Sequence, residues 1–143
     1  MTFRKITDQV FASPQIGPID VLQAAREGIV LIVNNRPEDE SDDQVPGPEI
    51  EAVARAAGLD YVAIPITHAG FSEPQVTAMT AALAGADGPV LAYCRSGTRS
   101  TLLWALAEAS RGQHPEVLAA QAAVAGYDVA PIRQLLDVLH ARA

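Results

Sequence analysis

Within seven positions, Cys94-Arg95-Ser96-Gly97-Thr98-Arg99-Ser100 gathers one thiol, two guanidinium groups, three hydroxyls and a glycine. These are the parts of a site that stabilises a thiolate and an oxyanion together. A thiolate, not a thiol, is the nucleophile, and it is favoured by neighbouring cations and converging backbone amides. Arg99, five positions after the cysteine, can fold back over the loop and grip an oxyanion with two parallel N–H donors. Gly97 permits the tight curve that aims successive amides inward. Cys94 and Arg99 are therefore the expected catalytic pair. Arg95, Ser96, Gly97, Thr98 and Ser100 are the expected anion-binding positions, with Ser100 either bonding the Cys94 sulfur or capping the next helix. A lone cysteine after a strand is more often a small buried hydrophobe, but two arginines and a glycine are poor core material.

The surrounding elements must deliver this loop to an accessible place. Val90-Leu91-Ala92-Tyr93 reads as a buried strand and residues 98–111 as a helix, so the cysteine sits where a strand ends and a helix begins. Ligands bind at the carboxyl ends of strands in open α/β sheets, and a helix N-terminus there presents unpaired N–H groups. Upstream, residues 10–16 form an edge hairpin or extended lead-in broken by Ser13-Pro14. Residues 18–27 form a helix closed by Gly28, and 29–33 a doubly covered strand. Residues 36–48 are a solvated loop rich in acids and prolines. Ile50, Val53, Ala54 and Ala57 mark a helix ended by Gly58, and 59–66 a strand. Ser72 and Gln75 suggest a capping box for a helix with a Val76, Met79, Leu83 stripe. Further helices are expected at 115–125 and 129–140, the latter capped by Asp128. Alternating strands and helices imply a mainly parallel sheet of about four or five strands, with helices on both faces. Asn34, Asn35 and Arg36 would share the sheet edge of Cys94, either lining its pocket or serving turns and caps. Trp104 is expected in the core.

The chain has 143 residues, long enough for one domain over 1–143 with a core of its own. Ten basic against 17 acidic side chains leave a net charge of −7, which disfavours nucleic-acid and anionic-membrane partners. No apolar run is long enough to span a bilayer, and charge interrupts the start where a secretory leader would be apolar, so a cytoplasmic location is expected. One cysteine excludes an internal disulfide and a thiolate metal site. His114 and His140 lack metal-site spacing, and no cofactor signature is present.

The loop is similar to the sulfur-carrying loop of single-domain rhodaneses, Cys-Arg-Ser-Gly-x-Arg-Ser, and to that of the tyrosine/dual-specificity phosphatases. No Gly-His-Ile-x-Gly-Ala-like stretch of the rhodanese kind is found. Ser13-Pro14-Gln15-Ile16, Ile32-Val33-Asn34-Asn35-Arg36-Pro37, Ile64-Pro65-Ile66 and Tyr93 to Ser100 together resemble the phosphatase-like domain of beta-lactamase-hydrolase-like proteins. Bacterial members of that family are also labelled sulfur transferases. The resemblance, up to about residue 110, implies a tyrosine/dual-specificity-phosphatase-like α/β fold ending in a C-terminal helical cluster.

Two departures from the phosphatase pattern bear on the chemistry. Four residues separate Cys94 from Arg99 where that pattern has five, which favours a smaller bound group. Residues 67–73 carry no aspartate to protonate a leaving group, and only His68 or Glu73 stands near that place. Sulfur transfer avoids the acid, because attack on a sulfane sulfur expels sulfite or a thiolate. The sequence therefore favours a sulfurtransferase working through a Cys94 persulfide, fed by thiosulfate or a persulfide and emptied by an acceptor thiol. A phosphatase acting on a phosphate ester through phosphocysteine is the alternative. A non-catalytic oxyanion-binding or redox-sensing module is the third possibility.

Overall fold

A computed structural model describes residues 3–143. Its sheet has five strands, β1 (Arg4–Lys5), β2 (Val10–Ser13), β3 (Leu31–Asn34), β4 (Asp60–Ala63) and β5 (Val90–Tyr93), in the spatial order β1-β2-β5-β3-β4. Only β1 is antiparallel. β2 is thus an interior strand, paired with β5, and the expected edge position belongs to β1. Pro14 does not interfere, because the ladder stops at Ser13 and the missing N–H falls just beyond it. The register aligns Ser13, Tyr93, Asn34 and Ala63 across four strands, so the chain leaves the sheet at one common edge at residues 14, 94, 35 and 64.

Period-two alternation sends side chains to two cores. Phe11, Ile32, Leu91 and Tyr93 meet α1 (Pro18–Arg26) and α2 (Gly47–Ala56) on one face. Val10, Ala12, Leu31, Val33, Val90 and Ala92 face the larger core under α3 (Glu73–Gly85) and α4 (Thr98–Ser110). The expected stripe of Val76, Met79 and Leu83 is the buried side of α3, and the Ser72 N–H donates to Gln75 Oε1 at 2.8 Å.

Helix α4 is buried almost all round, because α3, α5 (Pro115–Val124) and α6 (Arg133–Arg142) pack beside and behind it. Ala105, Ala107 and Ala109 let these neighbours approach closely, and Trp104 fills the core as expected. The last helix begins later than its pattern suggests: a 3-10 turn over Ala130–Ile132 precedes it, so its N-cap is Ile132 and not the expected Asp128, which instead accepts from the Ala130 N–H in the turn leading in. Conversely, α2 begins at Gly47, inside the stretch expected to be loop, because Pro48 is well suited to a first helical turn. No helix among the described residues is long and apolar enough to cross a membrane.

Candidate functional site

The loop from Cys94 to Gly97 is held by its own peptides. The Cys94 N–H donates to the Ser13 carbonyl at 3.4 Å, and the Gln15 N–H to the Arg95 carbonyl at 3.3 Å. Gly97 then turns the chain into α4 with φ 93°, a left-handed conformation that favours glycine. A Cβ at Gly97 would also collide with the Tyr127 hydroxyl. In this conformation the Gly97 N–H donates to Cys94 Sγ at 3.1 Å. Ser96 Oγ accepts from the Thr98 N–H at 3.3 Å and donates to Thr98 Oγ1 at 3.0 Å, closing the turn. The sulfur lies at the N-terminus of a 13-residue helix, where the backbone dipoles favour negative charge.

Arg99 folds back toward this sulfur, but its fork is occupied. Its Nη1 donates to Glu40 Oε2 at 2.7 Å and its Nη2 to Glu40 Oε1 at 2.8 Å, and Nη1 also reaches the Ile66 carbonyl at 2.8 Å. Arg36 Nε adds a bond to Glu40 Oε1 at 2.9 Å, with Nη1 on Gln15 Oε1 and Nη2 on Ser41 Oγ. These donors, Arg99 first, hold the Glu40 carboxyl down at about 2 against the opposing effect of burial. Glu40 in return raises Arg99 above the usual guanidinium range, and the Cys94 sulfur adds to that effect. The Glu40 backbone is tied in place as well, its N–H donating to Gln44 Oε1 at 3.0 Å while Gln44 Nε2 donates to the Pro37 carbonyl.

The expected residues fall into distinct groups. Cys94, Arg99 and Gly97 come together at one point. Arg95, Ser96 and Thr98 are exposed on the outer side of the loop. Ser100 neither bonds Cys94 nor caps the helix. It is buried in the first turn and donates to Asn35 Oδ1 at 2.7 Å. Asn35 in turn donates to the Ile64 carbonyl, and Asn34 donates to the Tyr61 hydroxyl and accepts from the Arg36 N–H. The two asparagines therefore brace the strand ends below the site and do not line a pocket. Arg36 reaches the site through Glu40. His68 is exposed, two residues beyond the carbonyl that holds Arg99, and Glu73 is exposed at the start of α3. Cys94 itself, expected at an open mouth, has no exposed surface.

Segment 36–46 is accordingly more than a solvated loop, since Arg36 is only 4% exposed. Glu40, Gln15 and Tyr127 are parts of the site that residue types alone did not disclose. The one local signal for Glu40 is its spacing of four from Arg36, opposite a cationic loop.

A family model for the beta-lactamase hydrolase-like protein, phosphatase-like domain, matches residues 2–111. A "Beta-lactamase hydrolase-like protein" of Xylella fastidiosa (strain Temecula1 / ATCC 700964) is 37% identical over 109 residues, covering 76% of this chain and 25% of that protein. The chain thus spans about a quarter of the length of the curated relatives it matches. The crystal structure of a "putative phosphatase" from Neisseria meningitidis Z2491 superposes with a TM-score of 0.84 at 31% identity, covering 97% of this chain and 99% of the other. Pseudomonas aeruginosa TpbA, a cysteine-to-serine variant crystallised with phosphotyrosine, shares the fold at a TM-score of 0.65 and 16% identity, covering 94% and 85%. The fold is therefore tyrosine-phosphatase-like, as the loop resemblance implied, and the chain belongs to the phosphatase-like domain family of beta-lactamase hydrolase-like proteins.

Proposed function

We propose that the chain is a cysteine-dependent phosphoester hydrolase of the tyrosine-phosphatase type, acting on phosphate esters with good leaving groups. The carrying observation is that Arg99 already grips an oxyanion, the Glu40 carboxylate, with both terminal nitrogens, beside a sulfur that accepts the Gly97 N–H. A substrate phosphate would take over that fork. Cys94 would attack phosphorus, the ester P–O bond would break with its electron pair leaving on oxygen, and water would then cleave the P–S bond to release phosphate. The family match and the Neisseria structure support this order of preference over sulfur transfer, reversing the preference drawn from the sequence.

The leaving-group restriction follows from the lack of a placed acid: residues 67–73 carry no aspartate, and Glu40, while it sits on the Arg99 fork, is held at about 2 and has no proton to give at neutral pH. Aryl phosphates, whose phenolates depart without a proton, fit this limit. Sulfur transfer is the second reading, favoured by the four-residue span between Cys94 and Arg99 and by the same lack of a placed acid.

The test is turnover of an aryl phosphate and of thiosulfate with a thiol acceptor, each beside Cys94→Ser. Cys94-dependent release of phosphate is expected. Release of sulfite from thiosulfate with no aryl phosphate turnover would put the second reading first, and inactivity on both would remove both.

A further inference from the structure

The Ser96–Gly97 peptide is the backbone unit that touches the sulfur, and a glycine peptide rotates easily. A trans peptide carries its N–H opposite its C=O. Whatever holds the Ser96 carbonyl outward therefore holds the Gly97 N–H on Cys94. That holder is Tyr127, whose hydroxyl donates to the Ser96 carbonyl at 3.1 Å. Burial pushes the Tyr127 phenol above its ordinary range, so it stays a donor.

Tyr127 is itself fixed from two sides. Its N–H donates to the Ala122 carbonyl at 2.9 Å, and the Arg4 guanidinium lies over its ring at 5.1 Å from the centroid while Arg4 Nη1 reaches the Ala125 carbonyl. Gly126, at φ 94°, leaves room for this arginine; a Cβ there would come within 2.8 Å of Nη1. Tyr127 also lies beyond residues 2–111, the stretch matched by the family model.

We propose that Tyr127 is a positioning residue for Cys94: by holding the Ser96 carbonyl away from the sulfur it keeps the Gly97 N–H donating to the thiolate. Were that peptide to rotate, a carbonyl oxygen would replace the N–H beside the sulfur, and its partial negative charge would oppose ionisation. The proposal rests on the reading of Cys94 as the nucleophile and deepens it.

Tyr127→Phe keeps the ring in the core and removes only the hydroxyl. Because Cys94 is the single cysteine, the ultraviolet absorbance of its thiolate can be titrated alone as a difference against Cys94→Ser. In Tyr127→Phe, read against a Tyr127→Phe, Cys94→Ser double variant so that the lost tyrosine cancels, the midpoint of that titration is expected to move to higher pH by about one to two pH units, the effect of losing a hydrogen bond to a charged acceptor. An unmoved midpoint, or one that moves down, overturns the proposal. The measurement uses no substrate, so failure of the phosphatase assay with a moved midpoint would remove the proposed reaction and leave the role of Tyr127 standing.

Discussion

The 94–100 loop and the 36–46 segment meet at Arg99 and are held there in opposite ways. The loop is fixed by peptide groups: Ser13, Gln15 and Gly97 supply main-chain partners, and Tyr127 adds one neutral hydroxyl. The facing segment is fixed by charge, through Glu40 on Arg99 and Arg36. Peptide hydrogen bonds do not titrate and are little affected by salt, whereas a carboxylate on two guanidinium groups responds to both. Cys94 is thus held by the permanent fold, and the charged segment on Arg99 can be separated from the loop by chemistry.

Arg99→Lys tests the shared element and should have the largest effect. A lysine keeps the charge but loses the planar fork, so it cannot hold two oxygens of one anion at once. We expect kcat/KM on an aryl phosphate to fall by about a hundredfold, equivalent to about 2.7 kcal/mol of transition-state stabilisation. A loss of less than about threefold would mean that the backbone alone holds the anion and that the two segments are not joined through Arg99.

Glu40→Gln separates the segments without touching the loop. Removing one negative charge from the fork should tighten sulfate or phosphate binding by about three- to tenfold, measured calorimetrically at low salt. The same variant has a pH signature. Folding lowers the Glu40 pKa from 4.5 to about 2, so its stabilising contribution is complete above the ordinary value and is lost as pH falls through the lower one. The wild type should exceed the variant in unfolding free energy at neutral pH by about 1–2 kcal/mol. The two should converge between pH 4.5 and about 2. Unchanged anion affinity would show that Glu40 does not compete for the fork.

The contrast also decides what the chain discloses before folding. Gly97, Cys94 and Arg99 are legible because their chemistry is local: a strand, a turn needing a left-handed residue and a helix start follow one another in nine or ten positions of ordinary pattern. The parallel sheet and the stripe of α3 are legible through their periods. Glu40 is not, since it lies 59 residues from Arg99, and an acid in a run of acids carries no mark of its partner. Tyr127 is hidden for the same reason, its acceptor lying 31 residues away on a main-chain atom. Pro14 misplaced β2 at the edge because the rule excluding proline from ladders applies to the residue inside one, and Ser13 ends this one.

Ser100→Ala addresses the boundary between loop and scaffold, and its effect should be the smallest. The Ser100 hydroxyl is buried and its acceptor, Asn35 Oδ1, belongs to a residue with no exposed surface. Truncation leaves that oxygen without its donor where water does not reach, at a cost of about 1–2 kcal/mol. The urea midpoint should fall with the slope unchanged, since the surface exposed on unfolding is the same. If Ser100 only braces the strand ends, phosphate affinity in the folded variant should stay within about twofold of wild type, a difference of roughly 0.4 kcal/mol. A loss of affinity well beyond that would draw the hydroxyl into the anion cradle and shift the boundary of the backbone-held loop one turn further into α4.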